Sequence, residues 1–308
     1  MTSVDARIGL HDIDGGRYPN LALMKLAAHH NARGDSVRWY APIESFDTVY
    51  GSKVFTFTDA DPYLPADAIL GGTGYCSPAT LPDDIEHTLP DYSLYGIDYG
   101  MGFLTRGCPR RCPWCVVPEK EGGIQAHAEH GEFANPASRD LVLLDNNVLA
   151  SEHGIREIER IAAAGYRVDF NQGLDARLIA RDDGIAKLLG RCRWLKPIRL
   201  ACDTSGQMAT VGRAVEALRR HGASPKTFFC YVLVKDIPDA LDRVEFLRSL
   251  NVDPFAQPFL DFTTNAAPTL EQRRFARWVN HKAIFKSMSW ADYGKKPTAD
   301  EGQTELFA

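Results

Sequence analysis

An α/β architecture in two parts is what this 308-residue chain predicts: an N-terminal Rossmann-like (flavodoxin-like) domain, then a partial (βα)6 TIM-type barrel. Three observations carry the prediction. Short β-rich runs alternate with helical stretches along almost the whole sequence, the pattern of parallel strands joined by helical crossovers. Beyond residue 100 the runs are nearly continuous in apolar residues, as in a sheet covered on both faces or curled into a barrel. Only about 190 residues follow the front part, fewer than the ~250 of an eight-fold barrel, so six βα units fit better than eight.

The front domain, residues 1–97, reads as a strand at RIGLHDI, a helix from Asn20 to Arg33 closed by Gly34, a strand at SVRWYAP, and short apolar pieces at KVFTFT and DAILGG. The barrel, residues 98–265, draws its six strands from GFLTRG, LVLLD, RVDFN, IRLACD, FFCYVLV and FAQPFL. Its helices have recognisable ends: Ser151 before EHGIREIERIAAA and Gly165 after it, then LIARDDGIAKLLG, QMATVGRAVEALRRHG, and Pro238 opening DALDRVEFLRSL. A helix over LEQRRFARWVNHKAIFKSM forms a cap within 266–294, and the polar tail 295–308 reads as disordered.

Composition narrows the function classes. With 44% apolar and 24% charged residues, 25 Gly and 18 Pro, the usage is globular rather than fibrous or disordered. No apolar run reaches the ~18 to 20 residues of a membrane span and no secretory leader is visible, so a cytoplasmic protein without membrane contact is expected. Residues 1–97 hold 6 Lys+Arg against 13 Asp+Glu, which makes this half a poor binder of phosphate backbones.

Seven cysteines, an odd number, do not form a secreted disulfide framework. Cys76, Cys192, Cys202 and Cys230 stand singly and read as small buried hydrophobes. Cys108, Cys112 and Cys115 are clustered in TRGCPRRCPWCVVP, a CxxxCxxC spacing just after the first barrel strand. Three thiolates within eight residues can wrap one soft metal centre. Structural zinc wants four N/S ligands, for which only His127 and His130 lie nearby; an electron-transfer cluster wants four cysteines, the fourth coming from elsewhere, such as Cys76. Polar residues also close five successive strands: Asp145, Asn146 and Asn147; Asn171 and Gln172, with Asp175 and Arg177 beyond; Asp203 and Thr204; Lys235 and Asp236; and Asp261. Ligands of such sheets bind at the carboxyl ends of strands, so these positions outline a pocket.

The CxxxCxxC spacing, with Trp114 directly before the third cysteine and a six-strand βα series around it, resembles the signature of the radical S-adenosylmethionine superfamily over roughly residues 100–262. The resemblance implies a [4Fe-4S] cluster held by Cys108, Cys112 and Cys115, whose fourth iron binds S-adenosylmethionine. It implies an enzyme that cleaves this sulfonium reductively to a 5'-deoxyadenosyl radical, with a flavodoxin or ferredoxin as electron donor. It further implies that Asp145 and Asn146 contact the methionine amino group, that Gln172, Arg177 and Asp203 serve ribose and carboxylate, and that Trp114 packs beside the adenine. The substrate, whether nucleoside or RNA, metabolite or peptide, is left open.

The front domain is similar to the cobalamin-binding-like domain of one branch of this superfamily. Cobalamin itself is not expected, because HDIDGG is not the DxHxxG loop and His29 and His30 fall inside the first helix. The chain departs from tRNA methylthiotransferases, since residues 1–97 hold only Cys76 and no RNA-binding barrel follows. Residues 271–296 carry seven Lys+Arg against two acids with Phe275, Trp278 and Trp290 interleaved, which fits either a nucleic-acid contact or an amphipathic cap. Two non-catalytic readings stand beside the enzyme: a zinc-stapled nucleic-acid-binding module and an electron-transfer iron–sulfur protein.

Overall fold

The computed structural model describes residues 5–16, 18–75, 80–223, 228–261, 264 and 266–293. Cys76 and the tail from residue 295 lie outside the described residues. The fold is mixed α/β with parallel sheets, and the chain divides into two compact units, residues 1–172 with 192–196, and residues 173–191 with 197–308.

The first unit contains two four-stranded parallel sheets. One is built from β1 (Arg7–Asp12), β2 (Ser36–Trp39), β3 (Thr48–Ser52) and β4 (Ile69–Gly71) in the order β2-β1-β3-β4. Between β1 and β2 runs α1 (Leu21–Ala32), started by the Asn20 side chain, which accepts a hydrogen bond from Leu23 N, and ended at Gly34 with φ +87°. Its buried Leu23, Leu26 and Ala27 pack on Ile8 and Leu10 of β1 and on Ile85 of the one-turn helix α2 (Asp83–Glu86). The short apolar piece at KVFTFT is loop: the ladder of β3 on β1 ends at Asp12↔Ser52, where β1 turns into the Asp14-Gly15-Gly16 bend, and the paired residues are the earlier TVYGS.

The other sheet contains β5 (Gly100–Gly102), β8 (Asp140–Leu143) and β9 (Arg167–Phe170). A short β10 (Arg193–Trp194), not foreseen from the sequence, adds to β9 and gives the order β10-β9-β8-β5. Between β5 and β8 lie β6 (Thr105–Arg106), the one-turn helix α3 (Val117–Lys120) and β7 (Gln125–Ala126). The run GFLTRG is thus two strands, not one: β5 ends at Gly102, and β6 leaves the sheet to pair antiparallel with β7. Glycine is required at 102, since a Cβ there would sit 2.4 Å from the Phe133 ring. The crossover from β8 to β9 is α4 (Glu152–Ala163), capped by Ser151 and turned back at Gly165, φ +75°.

In the second unit a three-stranded parallel sheet of β11 (Arg199–Ala201), β12 (Phe228–Val234) and β13 (Val252–Pro258), in that order, is joined by α7 (Met208–Arg220) and α8 (Ile237–Ser249). Two stretches expected as single helices are each broken. LIARDDGIAKLLG is divided between α5 (Ala176–Arg181) and α6 (Asp183–Arg191) because Asp182 adopts extended backbone and its carboxylate accepts from Gly184 N at 2.8 Å. The C-terminal stretch divides at His281 into α9 (Leu270–Asn280) and α10 (Lys282–Ser287), His281 capping the second. Phe275 and Trp278 are fully buried and pack with Trp290 and Phe285, so these rings serve the core of the cap rather than an exposed stacking surface. Among the described residues no helix is long and apolar enough to cross a membrane.

Candidate functional site

The parallel register of the second sheet of unit one sets Gly102, Leu143 and Phe170 side by side, so the chain leaves β5, β8 and β9 along one carboxyl edge. From β5 it passes Phe103 and Leu104 into the loop that carries the three cysteines; from β8 it passes Leu144 into Asp145, Asn146 and Asn147; from β9 it reaches Asn171 and Gln172. The sequence-predicted residues of this unit therefore share an edge because consecutive parallel strands must end there.

The cysteine loop is tied at its base. Thr105 and Arg106 pair with Ala126 and Gln125, and Cys108 N donates to Gly122 O at 3.2 Å. Gly107 makes this closure possible: its φ is +75° and a Cβ would lie 2.2 Å from Gly123 O. Two carboxylates then brace the loop. Asp145 is buried and accepts from Thr105 N and Thr105 Oγ1, both at 2.6 Å, and from Leu104 N at 3.2 Å. Burial pushes its carboxyl up, against the lowering effect of those hydrogen bonds. Glu121 accepts from Arg106 Nη2, Gly107 N and Asn146 Nδ2, each at 3.0 Å. Lys120 Nζ meets Thr73 Oγ1, and burial pulls the Lys120 ammonium down.

Cys108 and Cys112 are half-buried and Cys115 is exposed; none of the three is in a disulfide. The Cys108 sulfur receives Arg110 N and Asn147 Nδ2, each at 3.4 Å, and Cys115 N donates to Cys112 O at 3.0 Å, which turns the CPWC segment. Among the described residues no three His, Cys, Asp or Glu side chains are gathered at metal-binding distance. The donor set nevertheless fits an iron–sulfur cluster: three soft thiols on one short loop, with N–H donors on a sulfur of the kind that set a cluster's reduction potential. The two histidines considered as further ligands are engaged by carboxylates. His127 Nε2 lies 3.1 Å from Glu86 Oε1, which also holds Lys25 Nζ at 2.9 Å, and His130 Nδ1 lies 2.7 Å from Glu157 Oε2. Burial raises the Glu86 carboxyl, but the hydrogen bonds and charges of His127 and Lys25 outweigh it and bring it down to about 2.

Of the other expected contacts, Trp114 is half-buried on the loop and Gln172 is exposed. Arg177 and Asp203 belong to the second unit. Arg177 Nε donates to Asp175 Oδ1 at 2.8 Å at the start of α5. Asp203 follows β11, accepts from Leu233 N at 3.2 Å and donates its backbone N–H to Gln207 Oε1 at 2.6 Å. Sequence reasoning missed Thr105 and Glu121 as parts of the loop's support and named Asn147 only as a strand-end residue; the one sequence cue is that Glu121 precedes the Gly122-Gly123 pair closing the loop. No protein-family model matches the chain, and no curated protein matches it.

Proposed function

We propose that this chain is a radical S-adenosylmethionine enzyme, its residues 1–97 a Rossmann-like front domain without cobalamin and its six βα repeats the partial (βα)6 barrel of that superfamily. The observation that carries the reading is the three-cysteine loop, which springs from the carboxyl edge of a parallel sheet and is braced there by Asp145 and Glu121. Cys108, Cys112 and Cys115 would hold a [4Fe-4S] cluster, which with S-adenosylmethionine supplies one-electron cleavage of the sulfonium and hence a 5'-deoxyadenosyl radical. Asp145 keeps the loop's first residues on the sheet, Asn147 and the Arg110 amide donate to the Cys108 sulfur, and Asn146 lies at the same edge to meet the methionine amino group. We place the enzyme in the cytoplasm, served by a flavodoxin- or ferredoxin-type donor, with a nucleoside or RNA, a metabolite or a peptide as substrate.

The test is anaerobic reconstitution with iron and sulfide, addition of S-adenosylmethionine and a strong reductant, and detection of 5'-deoxyadenosine by mass spectrometry. Product from the native chain and none from Cys112→Ala is the expected result. One equivalent of zinc in place of iron, or a full cluster that never binds S-adenosylmethionine, overturns it.

A further inference from the structure

We infer that the loops leaving the carboxyl edge of the first sheet form a docking surface for a cationic polypeptide segment, one in which Lys or Arg is interleaved with apolar side chains. The substrate role of that segment rests on the radical S-adenosylmethionine reading, whose substrate it narrows to a polypeptide. A parallel sheet is ordinarily covered on both faces by its crossover helices. Here Ile8 and Leu10 of β1 face α1, and Gly9 between them faces the other way. That other face has no crossover helix: residues 40–47 join β2 to β3 and residues 53–68 join β3 to β4, neither containing a helix. Loop side chains cover it instead, with Phe46 lying on Gly9 and Leu64 beside Gly51. So thin a cover leaves its outer apolar groups in water: Ile43 is 96% and Phe57 80% exposed, and Val54 and Tyr63 are exposed as well. The Tyr40 hydroxyl donates to Tyr63 O at 2.7 Å, which joins the two loops, and Phe55 stacks on Phe57. Exposed apolar groups gathered in this way mark contact with another molecule, and an open surface suits a chain segment better than a small metabolite, which needs a concave pocket.

Charge decides which kind of chain. Residues 40–68 hold five Asp or Glu and a single Lys. That residue, Lys53, is buried, its ammonium donating to Thr58 O at 3.0 Å above the Tyr75 ring. Arg7 answers Glu44 and His11 answers Asp61, while Asp59 and Asp67 stand exposed in the loop of Phe57 and Tyr63. Such a surface repels a phosphate backbone, whereas Lys and Arg are drawn both to its carboxylates and to its ring faces. Its place in the fold ties it to the chemistry. Lys53 O accepts from Gly74 N at 2.8 Å, and the neighbouring Thr73 Oγ1 receives Lys120 Nζ from α3, the helix that follows Cys115, so a segment docked here lies beside the cysteine loop.

The experiment measures, by fluorescence anisotropy on the anaerobically reconstituted full chain, the binding of three labelled probes: a peptide of alternating Lys and Leu, one of alternating Glu and Leu, and a single-stranded oligouridylate. The Lys-Leu peptide should bind, more weakly as salt is raised, and the other two should not. Phe57→Ser should lower its affinity about tenfold, as loss of an aromatic anchor does, and Asp59→Asn with Asp67→Asn about threefold. Removing the same charge from α2, with Asp83→Asn and Asp84→Asn, should leave the affinity near the native value. Every variant should form 5'-deoxyadenosine at the native rate when peptide is absent. Native affinity in Phe57→Ser, or an equal loss in the α2 variant, overturns the inference, since binding would then be general electrostatics. So does preference for the oligouridylate, or a self-association of the chain in sedimentation that Phe57→Ser abolishes, which would make a second copy the occupant. A chain that forms 5'-deoxyadenosine but binds no peptide also overturns it and leaves the parent reading standing. A chain that binds as expected but assembles no cluster sinks the parent reading and the substrate role with it, while the docking surface stands.

Discussion

Two sets of three cysteines can be compared in this molecule. Cys108, Cys112 and Cys115 sit half-buried or exposed on a loop whose backbone is held by carboxylates and whose first sulfur receives two N–H groups. Cys192, Cys202 and Cys230 are buried beside α6, after β11 and within β12. Burial pushes the Cys202 thiol up to about 12 and the Cys230 thiol well above its usual range. The lesson is that the surroundings decide what a thiol can do: a thiolate must form before it can ligate a metal, and the apolar interior around Cys202 and Cys230 suppresses it.

The largest expected effect breaks one set and spares the other. Alanine at Cys108, Cys112 or Cys115 should abolish iron and sulfide incorporation on anaerobic reconstitution, whereas Cys230→Ala should retain it and cost only about 1 kcal/mol of stability; iron retained in Cys112→Ala would erase the distinction. Alkylation of the metal-free native chain, followed by mass spectrometry, gives a second separation: Cys115 should react first, Cys108 and Cys112 next, and Cys192, Cys202 and Cys230 only on denaturation. The brace itself is tested by Asp145→Ala, which leaves three donors of Leu104 and Thr105 without their acceptor. A loss of about 1–3 kcal/mol in urea unfolding, with faster hydrogen exchange at those two amides, is expected.

The smallest effect concerns the Glu86 pair with His127 and Lys25. Its carboxyl is lowered from 4.5 to about 2 in the folded chain, so its contribution is present in full above 4.5 and is lost as pH falls toward 2. Acid unfolding of Glu86→Gln should accordingly converge on that of the native chain at the bottom of this window and diverge above it. Parallel curves throughout would show that the pair contributes nothing.

What could be read from the sequence was local. The CxxxCxxC loop lies within a few residues, apolar runs announced β8, β9, β11 and β12, and Asn20, Ser151 and Pro238 stand where helices begin. What depends on distant partners was hidden. Glu121 meets Asn146, twenty-five positions away, and nothing in its own neighbourhood announces that contact. The strand TVYGS is short and contains glycine, and it is a strand because β1 lies beside it. Asp182 and His281 break helices through side-chain hydrogen bonds to the following turn, a competition that apolar periodicity does not register. The strands of the second part were legible one by one, but their pairing into a four-stranded and a three-stranded sheet was not, since the short β10 at Arg193–Trp194 takes the free edge of β9.

The two-residue ladder between β6 and β7 gives the cysteine segment the character of a cassette. Its ends are stitched together at Thr105↔Ala126 and Arg106↔Gln125, so the sheet beneath does not depend on how much chain lies between them. Loop-closure entropy rises only slowly, by about 0.6 kcal/mol for each doubling of length. Insertions at the exposed Gly122-Gly123 turn, or exchange of the whole excursion for a longer one, should therefore leave β5 and β8 in register while changing what the loop can hold.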